Sequence, residues 1–351
     1  MARILYGVCG EGMGHAIRSS ILIRHLKNHH DIFIVAGNKA YAYLNNEFEN
    51  VVKIESPRLM YVRGEVNLLK SMAYMIYKSI FSSPHSYIKV RKILKEFRPD
   101  LVISDAEPIC HLAARISNTK RMSIDNPHVL VYRKYKVKLN EIFSWICLLI
   151  AVKISLYGAD KYIVYDYFSK CSNKPNVTFL KPLIQEGIIK QKPSYQNHIF
   201  VYQTSISTEY IIDIFREFSE TFVIYGFNKD YREGNIIFKK FNENEFFADI
   251  AMAKAVITNG GFTAISEALY LKKPIFSIPI KSQFEQVLNG RFIEKLGAGA
   301  SHPLLNKENL GNFLKNLDCY KENLKTYSPG NQEKILKRIE EEIQTLLSSN
   351  S

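Results

Sequence analysis

Apolar residues along the chain follow two patterns: short uninterrupted runs, and longer stretches in which they recur every three or four positions. The first pattern is typical of strands buried on both faces, and the second of helices with one buried face. In the first half, strands are predicted at residues 4–8, 32–36, 51–54, 101–104, 121–124 and 161–165, and helices at residues 16–27 and 87–97. This alternation predicts a parallel sheet covered by helices.

A second series of the same kind begins near residue 198. Its predicted strands are residues 198–202, 222–225, 236–239, 255–258 and 275–278, and its predicted helices include residues 211–218 and 264–271. The predicted fold class is therefore α/β, with two Rossmann-like units in tandem. Ligands of such open sheets bind beyond the carboxyl ends of the strands, so we expect a functional cleft that both units face.

Domain boundaries follow from the two series. A chain of 351 residues exceeds the size that one hydrophobic core usually supports, and the proline-bearing stretch between the series has few periodic apolar positions. We predict a first domain at residues 1–175, a linker at residues 176–196 and a second domain at residues 197–330. Residues 331–351 are predicted to form a helix that packs back toward the first domain.

Charge is distributed unevenly along the chain. Lys and Arg exceed Asp and Glu by 13, and 12 of these excess positive charges lie in residues 1–180. This asymmetry predicts an anionic partner for the first half. The sequence has no helix-turn-helix, zinc-finger or RNP-type signature, and its basic residues alternate with long aliphatic ones, so a membrane surface is favoured over nucleic acid.

Other features bear on cellular location. The five cysteines are scattered without a CxxC pair, which is typical of reduced thiols and disfavours a zinc site. Residues 3–7 look like a strand and not like the apolar core of a signal peptide, and the longest uncharged apolar run, residues 142–152, is too short to span a bilayer. We expect a cytoplasmic protein that associates peripherally with the inner face of the cell membrane.

A glycine-rich loop follows the first predicted strand and opens a helix. Gly10, Gly12 and Gly14 precede His15 in a spacing that matches neither the dinucleotide fingerprint nor the P-loop. A helix N-terminus favours the neutral imidazole that a general base requires, so His15 is a candidate base. The alternative is a histidine that only caps the helix or packs against it.

Two acidic residues follow the predicted strand at residues 101–104. Asp105 comes directly after this strand, at the same carboxyl edge of the sheet as His15, where it can orient the imidazole as in a His-Asp dyad. Glu107 can serve in its place or bind an acceptor. The alternative for Asp105 is to cap the helix that begins near Pro108.

The second half contains a loop suited to a diphosphate. After the strand at residues 255–258, the chain turns directly into a helix through Asn259, Gly260, Gly261, Phe262 and Thr263. Main-chain amides at such a helix N-terminus bind phosphate oxygens. Glu267 lies one turn further along the same helix face, where it can accept both hydroxyls of a ribose.

A polar group follows the next predicted strand. Gln283, Glu285 and Gln286 carry hydrogen-bond donors and acceptors suited to the hydroxyls of a sugar. Their place after the predicted diphosphate loop favours sugar binding over an ordinary solvent-exposed helix face.

Residues 257–299 resemble the donor-binding region of GT-B glycosyltransferases of the MurG and UDP-glucuronosyltransferase type. The matching residues, in the expected order, are Asn259-Gly260-Gly261, Glu267, Pro279, Glu285-Gln286, Asn289 and Gly297-Ala298-Gly299. The glycine loop before His15 and residues 104–108 resemble the same superfamily. The resemblance implies a GT-B fold, in which two Rossmann-like domains face each other across a cleft.

The resemblance also implies an inverting, metal-independent transferase that uses a nucleotide-sugar, usually a UDP-sugar. His15 would be the general base and Asp105 its partner, and the acceptor side would include Gly12, Gly14 and Glu107. Glu267 would bind the ribose, and Glu285 with Gln286 the sugar. Ser205 matches a phosphate-contacting loop more weakly, because its loop lacks the usual glycine. The sequence contains no Asp-x-Asp, so neither a metal nor another cofactor is predicted.

The acceptor is predicted from residues that mix apolar and basic side chains. Basic residues at 133–138 precede the apolar run at 142–152, and residues 68–81 combine large apolar side chains with Lys70 and Lys78. This mixture is typical of helices that lie in a membrane interface, with ordinary core packing as the alternative. It predicts a lipid or polyprenyl-linked acceptor. A UDP-sugar 2-epimerase of the same fold and a non-catalytic nucleotide-sugar-binding subunit remain as alternative functions.

Overall fold

The structure, a computed structural model, describes residues 1–56, 60–62, 65–68, 70–71, 74, 83–168, 172–203 and 210–349. The strands, in chain order, are β1 (Arg3–Val8), β2 (Asp31–Gly37), β3 (Val51–Ile54), β4 (Tyr61–Val62), β5 (Glu65–Val66), β6 (Leu101–Asp105), β7 (Lys120–Asp125), β8 (Lys161–Tyr165), β9 (Val177–Leu180), β10 (His198–Tyr202), β11 (Thr221–Tyr225), β12 (Tyr231–Glu233), β13 (Ile236–Phe238), β14 (Ala255–Thr258), β15 (Ile275–Ser277) and β16 (Gly299–Ser301).

The helices follow the same numbering along the chain. They are α1 (Met13–Leu26), α2 (Asn38–Asn45), α3 (Ser83–Phe97), α4 (Pro108–Ile116), α5 (Val129–Tyr132), α6 (Ile142–Ser155), α7 (Glu186–Ile189), α8 (Ile211–Arg216), α9 (Glu243–Met252), α10 (Phe262–Tyr270), α11 (Phe284–Lys295), α12 (Lys307–Lys315), α13 (Leu317–Lys325) and α14 (Gln332–Ser348). The chain divides into two compact units, the first formed by Met1–Met60, Leu68–Leu183 and Gly330–Ser351 and the second by Tyr61–Asn67 and Ile184–Pro329.

The first unit contains a parallel sheet with the strand order β3-β2-β1-β6-β7-β8-β9. Leu5 of β1 and Val102 of β6, at the centre of this sheet, are fully buried in its core. The chain order reverses between β1 and β6, where Val8 lies opposite Asp105. A doubly wound sheet binds ligands at such a switch point, beyond the carboxyl ends of the strands.

The second unit repeats this arrangement. Its strand order is β12-β13-β11-β10-β14-β15-β16, and every pair is parallel except β12 with β13. Val201 and Ile257 from the two central strands are fully buried in its core. The order reverses between β10 and β14, where Tyr202 lies opposite Thr258. Each unit therefore has its own switch point.

The hairpin of β4 and β5 belongs to the second unit, although its sequence lies within the first half of the chain. The Val66 amide donates to the Lys281 carbonyl at 3.3 Å, and Glu65 pairs with Lys281 at 3.0 Å. The predicted boundaries did not include this exchange, because a two-residue strand carries no periodic signal.

Residues 176–196, predicted to be a linker, contain regular structure. Strand β9 continues the first sheet, and α7 lies in the second unit. The sequence pattern did not predict β9 because only Val177 of its four residues is buried. Helix α14 lies in the first unit, where Glu340 accepts from His30 at 2.8 Å and Glu342 pairs with Lys161 at 2.6 Å.

Candidate functional site

The loop after β1 brings the start of α1 to the switch point of the first unit. Gly12 immediately precedes the helix with φ of 76°, in the left-handed region that favours glycine. It has no side chain with which to cap the first turn, and that turn contains no acidic residue. The helix therefore presents main-chain amides at this edge of the sheet.

The structure brings His15 and Asp105 together. The distance between His15 Nδ1 and Asp105 Oδ1 is 2.8 Å, and the side chains are 16% and 0% exposed. When Nδ1 carries the proton and donates it to the carboxylate, Nε2 has a free lone pair. This is the arrangement that a general base requires, and capping of α4 by Asp105 is not observed.

Arg18 completes this cluster, and the sequence analysis did not identify it. Its Nε donates to Asp105 Oδ2 at 2.7 Å, and its Nη2 donates to Asp105 Oδ1. Ser19 Oγ donates to Oδ2 at 2.9 Å. The signal that was available is the spacing, since residues three apart on a helix lie on the same face and Arg18 follows His15 by three.

These contacts determine the charge of Asp105. Burial alone would raise the pKa of its carboxyl group, but the charges of Arg18 and of a protonated His15, together with the hydrogen bonds from both side chains, outweigh burial and lower the pKa to about 2. The carboxylate is therefore ionised at neutral pH and has a hydrogen bond on each oxygen.

Glu107 lies just before α4. It is 0% exposed, and its Oε2 accepts from the Cys110 amide at 2.6 Å, which makes Glu107 the N-cap of α4. Burial raises the pKa of this carboxyl group. Its other oxygen, Oε1, is buried and has no hydrogen-bond partner among the described residues, and the acceptor contact of Glu107 stays a prediction.

The turn after β14 requires glycine. Gly260 has φ of 88°, and a Cβ atom there would lie 2.7 Å from Ser277 Oγ and 3.0 Å from the Gln286 carbonyl oxygen. Asn289 Nδ2 donates to the Gly260 carbonyl at 3.0 Å and fixes the turn. Helix α10 then begins at Phe262 with Gly261 as N-cap, so its first-turn amides, Thr263 included, face the switch point without a capping side chain.

Two buried amide side chains lie beside this turn. Asn259 donates from Nδ2 to Gln203 Oε1, which joins the ends of β14 and β10. Gln203 Nε2 is buried, and the described residues offer it no hydrogen-bond partner. Ser205, two residues further on, lies outside the described residues.

Glu267 lies one helical turn beyond the glycine turn and is 3% exposed. Gln185 Nε2 donates to its Oε1 at 2.6 Å. Burial raises the pKa of Glu267 to about 7, against the opposing effect of the Gln185 hydrogen bond. Within the described part of the chain no hydrogen bond reaches Oε2, so that oxygen is the one left for a ligand.

The predicted sugar-binding residues lie at the start of α11. Gln286 Oε1 accepts from the Ile280 amide at 2.8 Å, which leaves its NH₂ group as the donor for a ligand. Gln283 Nε2 donates to the Tyr61 hydroxyl at 3.2 Å, and its buried Oε1 finds no partner among the described residues. Glu285 is in the first turn of α11 and is partly exposed.

Helix α6 exposes an apolar face. Val152 is its buried residue, whereas the residues that recur every three or four positions on the other side are exposed: Ile142, Phe143, Ile146, Ile150 and Ile154. We call these five residues the α6 face. Leu112 and Ile116 of the neighbouring α4 are also exposed, as are Lys134, Lys136 and Lys138 just before α6. Core packing, the alternative for the 142–152 run, does not describe this face.

Other parts of the predicted membrane contact are less fully described. Most of residues 68–81 lie outside the described residues. No helix in the described part of the chain is both long enough and apolar enough to cross a bilayer. The described part of the chain also contains no group of three or more His, Cys, Asp or Glu side chains placed to hold a metal ion.

Comparisons with known proteins place these sites in context. The family described as Glycosyl transferase family 1 matches residues 2–318. An uncharacterized glycosyltransferase of Methanosarcina mazei is 26% identical over an alignment of 346 positions, and the match covers 85% of this chain and 84% of that protein. The UDP-N-acetylglucosamine--N-acetylmuramyl-(pentapeptide) pyrophosphoryl-undecaprenol N-acetylglucosamine transferase of Pelagibacter ubique is 24% identical over an alignment of 392 positions, and the match covers 99% of each chain.

Solved structures share the fold at low sequence identity. The calicheamicin glycosyltransferase CalG4 has a TM-score of 0.69 at 14% identity and matches 100% of this chain and 99% of its own. The glycosyltransferase VinC, solved in complex with dTDP, has a TM-score of 0.64 at 12% identity and matches 99% of this chain and 100% of its own.

Proposed function

Because this chain belongs to glycosyl transferase family 1, we propose that it moves a sugar from a UDP-sugar to a lipid or lipid-linked acceptor with inversion at the anomeric carbon. Its fold is GT-B, as the sequence predicted, and its likeness to glycosyltransferases that include a MurG-type enzyme is confirmed. It is a glycosyltransferase. The dTDP bound to VinC, which shares its fold, supports a nucleotide-sugar as the proposed donor. The nucleotide, the sugar, the acceptor and the roles of individual residues are the content of the proposal.

The observation that carries the proposal is the N-terminus of α10. It follows a glycine turn at the switch point of the second unit, where amides and the helix dipole favour a diphosphate. Glu267 lies one turn beyond and is proposed to bind the ribose. Gln283, Glu285 and Gln286 then receive the sugar, and Ser205 contacts a phosphate. In this proposal the α10 amides carry the diphosphate charge, and neither a metal ion nor another cofactor takes part.

The proposed reaction begins at His15. Its Nε2 accepts the proton of an acceptor hydroxyl as the oxygen attacks the anomeric carbon, while Gly12 and Gly14 at the start of α1 line the acceptor side. The bond from that carbon to the diphosphate breaks, and the leaving electron pair stays on the UDP oxygen. Attack opposite to the leaving group inverts the configuration. With a phosphate acceptor, which is already a nucleophile, His15 orients the attacking oxygen and takes no proton.

The proposed acceptor follows from the α6 face and from a relative. Exposed apolar residues beside Lys134, Lys136 and Lys138 match the boundary between acyl chains and anionic head groups. The MurG-type relative is named for an undecaprenol-linked acceptor. We therefore place the protein at the inner face of the cell membrane, peripherally associated, with a lipid or polyprenyl-linked acceptor.

One assay separates the proposed function from its alternatives. The full-length protein is incubated with a panel of UDP-sugars, with and without a membrane lipid extract, and UDP release is measured together with the identity of the sugar products. We expect UDP release that depends on the extract and on one UDP-sugar. Turnover without extract that yields an epimeric sugar would indicate the 2-epimerase, and UDP binding without turnover would indicate the non-catalytic subunit.

The membrane contact has its own test, flotation with vesicles of phosphatidylcholine with or without phosphatidylglycerol. The double variant Phe143→Asp/Ile150→Asp should bind the anionic vesicles at least about tenfold more weakly than the wild type. Both substitutions replace an apolar side chain that is proposed to insert into the bilayer interface. The control Phe241→Asp/Leu304→Asp changes two exposed apolar residues of the second unit and should bind like the wild type. Equal binding by both double variants would remove the α6 face from the proposal.

A further inference from the structure

Arg18 makes an arrangement that the proposed reaction does not use. It is 6% exposed, and it holds both oxygens of Asp105 with its Nε and Nη2. The same Nη2 lies 2.7 Å from His15 Nδ1. A permanent positive charge is therefore in contact with both members of the His-Asp pair.

The other groups around the pair do not duplicate this charge. Ser19 on α1 donates a hydrogen bond to Asp105 and carries no charge. Tyr6 on β1 and Tyr165 on β8 are buried, and burial raises their phenol pKa values, so both are neutral. Asp125 at the end of β7 is engaged by His128 at 2.8 Å. Among the described residues, Arg18 is the permanently charged cation that hydrogen-bonds to Asp105.

A buried carboxylate beside an imidazole has two opposed effects. When the ring donates from Nδ1 to this carboxylate, Nε2 is unprotonated and can accept a proton. Its negative charge also stabilises the imidazolium, in which Nε2 already carries a proton and no longer acts as a base. A cation that forms an ion pair with the carboxylate cancels the second effect and keeps the first.

We propose that Arg18 is a positioning residue that holds Asp105 in place as a hydrogen-bond acceptor while cancelling its charge, so that His15 stays neutral. The proposal rests on the proposed role of His15 as base.

The test is a titration of the His15 imidazole by ¹⁵N NMR on the full-length protein, with the resonance assigned by its loss in His15→Ala. Arg18→Met removes the charge and the donors, Arg18→Gln removes the charge and keeps a donor, and Arg18→Lys keeps the charge. We expect the midpoint of the titration to rise by about one pH unit or more in Arg18→Met and Arg18→Gln, which is about tenfold more imidazolium at a given pH. Arg18→Lys should stay close to the wild type.

Activity supplies a second reading. The acidic limb of the kcat profile should move to higher pH in the Met and Gln variants, with the KM for the donor unchanged. Ser19→Ala is the matched control, because it removes a hydrogen bond to Asp105 without changing any charge, and its midpoint should equal that of the wild type.

An unchanged midpoint in Arg18→Met and Arg18→Gln, with only a lower Tm, would show that Arg18 is structural and would overturn the proposal. If these two variants fail to fold, Asp105→Asn gives the converse test: the midpoint should fall, and no change would overturn the proposal. Failure of the proposed function gives a different result. A normal kcat in His15→Ala would show that His15 is not the general base, whereas the titration would still report whether Arg18 controls the charge on the imidazole.

Discussion

The two switch points have the same topology and opposite chemistry. In the first unit, charged side chains dominate: Arg18, Asp105 and His15 are joined by short hydrogen bonds. In the second unit, the main chain dominates, with a glycine turn, an uncapped helix and the neutral amides of Gln203 and Asn259. A doubly wound sheet therefore provides only the location, and the residues at the strand ends decide which groups are present there, ionised side chains in the first unit and main-chain amides in the second.

A pair of buried carboxyl groups makes the difference quantitative. Asp105 and Glu267 are both buried, yet the pKa of the first is lowered to about 2 and that of the second is raised to about 7. Asp105 has a guanidinium partner, whereas Glu267 has the neutral Gln185. Burial raises the pKa in both places, and the partner decides the outcome.

Removal of the imidazole is expected to have the largest effect. His15→Ala should lower kcat by ~10²–10⁴ and leave the Kd for UDP unchanged, because a general base acts in the first unit and the diphosphate binds in the second. Steady-state kinetics and calorimetry with UDP check the two parts. His29→Ala, an exposed histidine of the same unit, is the control and should behave as wild type. A kcat close to normal in His15→Ala would show that no base is needed.

Substitution of Glu267 is expected to change the Kd for UDP, which the His15 variant should leave unchanged. Glu267→Ala should weaken UDP binding by about tenfold or more, because the proposed hydrogen bonding of the ribose to Oε2 is lost, and this is measured by calorimetry without any acceptor. Gln185→Ala is the companion variant and should weaken binding less, because it removes only a neighbour of the carboxyl group. An unchanged Kd for UDP in Glu267→Ala would show that Glu267 does not bind the ribose.

Substitutions of the glycines at the two switch points are expected to lower the free energy of unfolding by different amounts. Both have positive φ, but a Cβ atom at Gly12 would meet nothing within 4 Å, whereas at Gly260 it would lie 2.7 Å from Ser277 Oγ. Gly12→Ala should lower the free energy of unfolding by about 1 kcal/mol, and Gly260→Ala by about 2–4 kcal/mol, in urea denaturation of the full chain. Equal losses would mean that the turn at Gly260 relaxes freely.

The smallest expected effect is a dependence on pH. With a pKa of about 7, Glu267 is protonated at pH 6 and ionised at pH 8, so its contribution to UDP affinity should rise over this range by a few-fold. The diphosphate also titrates, so the measure is the difference between wild type and Glu267→Gln. Linkage gives stability the opposite sign: the folded-state pKa lies above the usual 4.5, so the contribution of this group to stability is lost as pH rises from about 4.5 through 7. Parallel pH curves for the two proteins would contradict both expectations.

Much of the fold could be predicted from the sequence because central strands are buried on both faces. The apolar runs that predicted β1, β6, β10 and β14 are the strands that define the two switch points. Strands β9 and β12 were not predicted because they lie at sheet edges, where solvent exposure removes the apolar pattern. The hairpin of β4 and β5 escaped because its membership of the second unit depends on contacts with Lys281, far away in the sequence.

The candidate site was predictable where a motif implies main-chain geometry. The glycine turn before α10 and the placement of His15 beside Asp105 follow from strand ends and helix starts. The partners of these residues were not predictable in the same way. Arg18 looked like an ordinary helix residue, Gln185 lay in a stretch interpreted as a linker, and Glu107 proved to be the cap that was considered for Asp105. Each depends on which side chain fills a buried space.

The return of the chain to the first unit has a consequence for synthesis. Helix α14 is tied to that unit by Glu340 with His30 and by Glu342 with Lys161 and Thr178. A ribosome makes residues 184–329 before it makes this helix. The unit that is encoded first is thus completed second. The surface that α14 covers stays uncovered until the end of the chain has been synthesised.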